Sequence, residues 1–160
     1  RMSNSARFEA ALRYAAAKHE GQYRIGGEPY ISHPIAVAAA LNERGYDEEF
    51  CIAGLFHDLL EDTDATEAEI AELGSPAILE AVRLLTKEEN YVMEEYIARI
   101  KQNEMAFAVK GADRLHNLQS AVCADEAFKL KYILESMEWY QDFDVQIPEA
   151  IKELEKTLHK

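Results

Sequence analysis

Four side chains in the segment CIAGLFHDLLEDTD, residues 51–64, are the first in the chain whose types and spacing could do chemistry: His57, Asp58, Glu61 and Asp62. They follow an almost unbroken apolar run, and a helix that is apolar all round belongs inside a protein. An unpaired carboxylate in such a place is costly, so it is normally paired, neutralised or bound to a cation. On a helix, Glu61 lies four residues beyond His57 and three beyond Asp58, while Asp62 lies four beyond Asp58, so the four groups can share one broad face. An imidazole among carboxylates is a mixed nitrogen and oxygen ligand set suited to divalent manganese, iron or zinc, with carboxylate left over for acid–base work. Alone, the same residues also fit a surface ion pair or a capping arrangement.

Two other segments strengthen the metal reading. Ser32-His33-Pro34 puts His33 at the start of a helix after a Gly-rich loop, where it could equally be a capping residue. VKGADRLHN, residues 109–117, puts Asp113 in an apolar helix amid Lys110, Arg114, His116 and Asn117, where an internal ion pair is the plain alternative.

The elements that must position these groups are all helical. Apolar residues recur at three- and four-residue spacing, and no stretch alternates like a half-buried strand. The spacing predicts an all-α fold in a single domain spanning 1–160, with helices near 5–19, 33–43, 48–61, 91–102, 104–119, 125–141 and 148–158. The last of these is set off by Asp144 to Pro148 and could pack on the body or on a partner. Gly45 suits a helix stop, Thr66-x-x-Glu69 is a capping box for a short helix that Gly74 closes, and Ser75-Pro76 opens the next, running towards Leu85. GQYRIGGEPYIS, residues 21–32, and TKEENY, residues 86–91, read as loops.

Composition narrows the partners. Of 160 residues, 48% are hydrophobic, enough for one sizeable core. The formal charge of −13 would repel a nucleic-acid backbone or an anionic membrane, so neither is expected as a partner. No apolar stretch is long enough to span a bilayer, the charged N-terminal segment does not read as a signal peptide, and Arg1 ahead of Met2 is expected to be foreign to the natural chain. Cys51 and Cys123 lack metal or redox spacing and read as free thiols. A cytoplasmic location is expected, and a homo-oligomer stays open. Tyr30, Tyr91, Tyr96, Phe107, Tyr132, Trp139 and Tyr140 read mainly as core or interface, and His159 as tail.

The segments AAAKHEGQYRIGGEPYISHPIAVA (15–38), AGLFHDLLEDTDAT (53–66), LLTK (84–87) and VKGADRLHNLQSA (109–121), with KYILESMEWY (131–140) weaker, stand in the order found in one known family. The chain resembles the HD-domain superfamily, and within it the (p)ppGpp hydrolase domain of the RelA/SpoT alarmone enzymes and their small stand-alone relatives. The resemblance implies a single HD-domain helical bundle holding one Mn²⁺ ion, with other divalent metals open. It implies His33, His57, Asp58 and Asp113 as ligands, with Glu61 and Asp62 activating or positioning the attacking water. It further implies a guanosine nucleotide substrate whose 3′-pyrophosphate is released, with GDP or GTP as the other product. Arg24, Lys110, Arg114, Asn117 and Ser120 are the candidate substrate-binding residues, Arg24 against either the base or a phosphate. His19 resembles a structural His beside the loop, and His116 sits behind the ligands at most.

Two departures touch substrate binding: Ile25 stands where the family commonly has a second basic residue, and Ser120 where it commonly has Thr. Rival substrates of the same fold are ppApp, the 2′-phosphate of NADPH and nucleoside monophosphates. A non-catalytic nucleotide-binding module is the rival of another class, opposed by the intact ligand set. With no synthetase or regulatory segment in these residues, a hydrolase alone is expected.

Overall fold

The computed structural model describes residues 5–158. Helices α1 (Ala6–Lys18), α2 (Ser32–Glu43), α3 (Glu48–Phe56), α4 (Leu59–Asp62), α5 (Glu67–Leu73), α6 (Pro76–Leu85), α7 (Met93–Lys101), α8 (Glu104–Ser120), α9 (Glu126–Trp139) and α10 (Ile147–Glu155) follow one another, with a 3-10 turn at Ala121–Cys123 after α8. The fold is all-α, as the periodicity requires. His159 lies outside the described residues.

Short polar side chains start these helices where the sequence puts them. Ser5, Asp47, Ser75, Asn103 and Asp125 each accept a hydrogen bond from a backbone N–H three residues on. Thr66 and Glu69 form both halves of the capping box. At the end of α2, Gly45 takes a positive φ of 87°, and the Gly45 and Tyr46 N–H groups return to the carbonyls of Asn42 and Leu41. That is a Schellman stop, which favours glycine because a β-carbon disfavours the left-handed backbone.

The one helix that differs from expectation is 48–61, which is broken. α3 ends at Phe56 and α4 begins at Leu59, with His57 and Asp58 at the joint. The cause is local: His57 Nδ1 lies 2.7 Å from the Gly54 carbonyl, the acceptor that the Asp58 N–H would use in a continuous helix.

α2, α3 and α8 pack on one another in the middle of the bundle, with α1 and α6 against α3 and α7 against α8. Val37, Ala38, Leu41, Ile52, Leu55, Phe56 and Leu118 fill the space between them, all essentially without exposure. α10 packs on α8 and α9 and buries Ile147, Ile151 and Leu154. Gly111 allows the approach, since a β-carbon there would run into the Phe143 carbonyl oxygen. Among the described residues no helix is long and apolar enough to cross a membrane.

Candidate metal centre

Each candidate ligand sits on one of the three central helices or at the joint after α3. His33 is in the first turn of α2, His57 and Asp58 are at the joint, and Asp113 is in the middle of α8. One ligand atom from each of His33, His57 and Asp58 lies within 4.8 Å of the others. Asp113 closes the group: its Oδ1 is 2.8 Å from His33 Nε2 and 3.5 Å from His57 Nε2. The fourfold set expected from sequence is therefore assembled in space, and its donors are two nitrogens and two carboxylates.

The residues around this set orient it for a cation. With Nδ1–H donated to the Gly54 carbonyl, His57 turns Nε2 inward. That Nε2 is buried and, although 3.2 Å from Asp58 Oδ2, has no hydrogen-bond partner. A buried nitrogen with no partner among carboxylates is the arrangement a divalent ion completes. His33 is held likewise, with Nδ1 at 2.8 Å from Nδ1 of His116. Burial, then the neighbouring charges of His33 and Arg24, push His116 down to about 4, so the His116 ring is neutral and the two Nδ1 atoms share one proton, donor and acceptor being set by the tautomer.

Electrostatics point the same way. Burial lowers His33 below its ordinary value. At His57 burial would do the same, but the charges of Asp58 and Asp113 outweigh it and raise the imidazole well above its ordinary value. Burial would raise Asp58 and Asp113, yet His57 holds Asp58 down, and Lys110 and then His57 hold Asp113 down. One buried and one half-buried carboxylate thus ask for positive charge. A proton on His57 supplies it, and a divalent ion would take that proton's place.

The Glu61–Asp62 pair divides. Asp62 is solvent-accessible, but partial burial of its carboxyl and the charges of Asp58 and Glu61 push it up to about 6. Glu61 turns to the loop after α6, where its Oε1 accepts the Lys87 N–H at 2.9 Å.

A cavity of about 540 Å³ opens beside the cluster, lined by Tyr23, Arg24, Ile25, Tyr30, Asn117, Ser120, Phe128 and Tyr132 among others. The 20–31 loop forms one wall as a tight hairpin, with an isolated Tyr23–Pro29 bridge and Arg24 N–H bonded to the Glu28 carbonyl at 2.8 Å. Of the five expected substrate-binding residues, three line this cavity: Arg24, whose Nη2 donates to Asn117 Oδ1 at 3.1 Å, Asn117 itself, and Ser120, whose hydroxyl donates to the His116 carbonyl. The other two lie deeper. Lys110 Nζ is 3.2 Å from Asp113 Oδ2. Arg114 is clamped between the rings of Tyr132 and Tyr140, each 4.2 Å from its guanidinium carbon, and donates to Glu135 at 2.8 Å.

Sequence reasoning missed Tyr30, which it read as core packing. Its hydroxyl donates to Asp58 Oδ2. The missed signal was its place three residues before His33 in a loop already singled out. Lys87, within a segment matched to the family but given no role, meets the Glu-Asp pair through its backbone N–H.

Comparison with known proteins agrees with the architecture. A family model described as HD domain matches residues 11–144. The chain is 36% identical over 148 residues to GTP pyrophosphokinase rsh of Brucella melitensis biotype 1, covering 86% of this chain and 20% of that protein. It is 37% identical over 142 residues to guanosine-3′,5′-bis(diphosphate) 3′-pyrophosphohydrolase of Aquifex aeolicus, covering 82% of this chain and 20% of that one. It spans about one fifth of the length of these curated relatives. A solved structure of a metazoan ortholog of SpoT, which hydrolyzes ppGpp and plays a role in starvation responses, matches with a TM-score of 0.77 and 26% identity over 95% of both chains.

Proposed function

The chain belongs to the HD-domain family, and from that premise we propose that it is a metal-dependent phosphohydrolase that cleaves the 3′-pyrophosphate from (p)ppGpp. In this reading His33, His57, Asp58 and Asp113 hold one Mn²⁺ ion, and the chain acts in the cytoplasm as one functional domain, α10 included. The observation that carries it is a shared wall. Tyr30 and Asn117 both line the cavity, and each bonds a different carboxylate of the cluster, Tyr30 to Asp58 and Asn117 to Asp113 at 3.0 Å. A nucleoside seated in the cavity would have its ribose within reach of the ligand cluster.

A divalent cation there would supply Lewis acidity toward a phosphate oxygen and a water molecule. The remaining work falls to the chain. Asp62, raised towards neutrality, is suited to take the proton from water as its oxygen adds to the phosphorus nearest the ribose. The bond from that phosphorus to the ribose 3′ oxygen breaks, the oxygen leaves with a proton as a hydroxyl, and inorganic pyrophosphate is the other product. The aromatic faces of Tyr23, Phe128 and Tyr132 and the planar Arg24 guanidinium suit a purine.

The deciding experiment presents Mn²⁺-loaded protein with ppGpp, pppGpp, ppApp, NADPH and nucleoside monophosphates, measuring pyrophosphate and phosphate separately. One pyrophosphate per ppGpp, with little release from the others, is the expected result. Phosphate release from NADPH or a monophosphate with ppGpp left intact would overturn the assignment.

A further inference from the structure

Cations are scarce in a chain with 17 Lys and Arg against 30 Asp and Glu, so one without a carboxylate partner near the cluster is conspicuous. Lys110 faces Asp113 and Arg114 faces Glu135. Lys87 forms an ion pair with neither, although the charges of Glu135 and Glu61 reach it. It stands two residues after α6, partly buried, with its Nζ 5.3 Å from the centre of the Tyr91 ring and 5.5 Å from that of Tyr96. Lys110 Nζ lies 5.8 Å from that same Tyr96 ring. Among the described residues the Lys87 ammonium makes no hydrogen bond and no ion pair. Burial and the like charge of Lys110 lower its proton affinity by more than the charges of Glu135 and Glu61 raise it, so the ammonium is held where the protein alone does not fully satisfy it. Its backbone is fixed to the candidate site, because the Lys87 N–H is the donor that Glu61 accepts, three residues beyond Asp58.

An under-satisfied ammonium, oriented by two aromatic faces and tethered beside a metal-binding cluster, is suited to a multiply charged anion. We infer that Lys87 binds the terminal phosphate of the substrate's 3′-pyrophosphate, the part that departs, and that Glu61 is a positioning residue for it through the Lys87 N–H. This rests on the phosphohydrolase reading above and adds selectivity to it: Lys87 distinguishes a 3′-pyrophosphate from a 3′-monophosphate. A single phosphate seated at the cluster has no second phosphoryl group to offer the ammonium.

The test is calorimetric titration of inorganic pyrophosphate, and separately of orthophosphate, into Mn²⁺-loaded wild type, Lys87→Met and Lys87→Arg, with Mn²⁺ in the buffer throughout. Met keeps an unbranched apolar stem on the two rings and removes the charge. Pyrophosphate affinity is expected to fall by about 10- to 100-fold in Lys87→Met and to be largely retained in Lys87→Arg, while orthophosphate affinity stays within about threefold. Equal pyrophosphate affinity in wild type and Lys87→Met overturns the inference, as does an equal loss for both anions. Should Lys87→Met not fold, Lys87→Gln carries the same comparison. The two readings fail separately: Lys87-dependent pyrophosphate binding without ppGpp turnover removes the substrate assignment and keeps the anion site. Normal ppGpp turnover with a Lys87-independent pyrophosphate affinity removes only the anion site.

Discussion

The inner cluster and the outer cavity share two residues, Tyr30 and Asn117, but are built in opposite ways. His33, His57 and Asp113 are buried on central helices or at their joint, and each is bonded by a neighbour that sets its orientation. The cavity wall formed by the 20–31 loop exposes Tyr23 at 67% and Ile25 at 63%, and the Arg24 side chain is tied down by one hydrogen bond, to Asn117. A packed helical frame holds geometry to a fraction of an ångström, whereas a loop of exposed side chains can change type without disturbing the core. In the proposed reading, reaction type is thus the property of the inner region, and choice of nucleotide that of the outer one.

That division can be broken from the inside first. Asp58→Asn is expected to abolish both metal binding and turnover, and full metal content with retained activity would end the ligand assignment. Metal uptake by the wild type should also release a proton, because the charges of Asp58 and Asp113 raise the His57 pKa before the ion binds and the ring must be neutral to coordinate. Affinity therefore rises with pH below the His57 pKa, and calorimetry in buffers of different ionisation enthalpy counts the proton.

A smaller effect separates the paired acids. Asp62, at about 6, must be ionised to accept a proton, so turnover should fall as pH drops through about 6. Asp62→Asn should cost about 10²- to 10⁴-fold and remove that acidic limb while metal content is kept. Glu61→Gln retains an acceptor for the Lys87 N–H. It should keep metal and lose turnover if the Glu61 carboxylate handles protons, and an unchanged kcat would leave Glu61 as a tether alone.

Tyr30→Phe tests the seam between the regions. Losing the hydroxyl on Asp58 should weaken metal affinity about 10- to 100-fold, read by metal titration. If the apparent nucleotide affinity changes and the metal affinity does not, Tyr30 belongs to the cavity instead. Least of all should be Ile25→Lys in the loop. A lysine there is expected to shift KM for ppGpp by about tenfold or less with kcat unchanged, and a change in kcat would dissolve the contrast between the two regions.

What the sequence disclosed follows the same line. Thr66 and Ser75 mark helix starts by chemistry that needs only neighbouring residues, and each does so in the fold. His57, Asp58 and Asp113 stood out because apolar runs surround them, while His33 and the fourfold ligand set came with the family resemblance, and contacts across 80 residues, such as His33 to Asp113, depend on how helices pack. The break between α3 and α4 was not legible, since it arises when a side chain captures a backbone carbonyl and no propensity records that. Arg114 and Lys110 were placed among substrate contacts, but which carboxylates they meet is decided by α9 and by the register of α8. Tyr30 was misread because a tyrosine beside a proline resembles packing until its hydroxyl is given a partner.

The capture of the Gly54 carbonyl by the His57 ring makes the metal and the main chain report on each other. With that carbonyl taken, the Asp58 amide lacks its helical acceptor, so the joint should exchange its amide hydrogens for deuterium faster than the helices on either side. A ring anchored at Nδ1 and also held by a cation at Nε2 cannot swing away, and exchange across residues 57–59 should slow when the ion is added. Deuterium uptake at three amides would then read occupancy without any substrate.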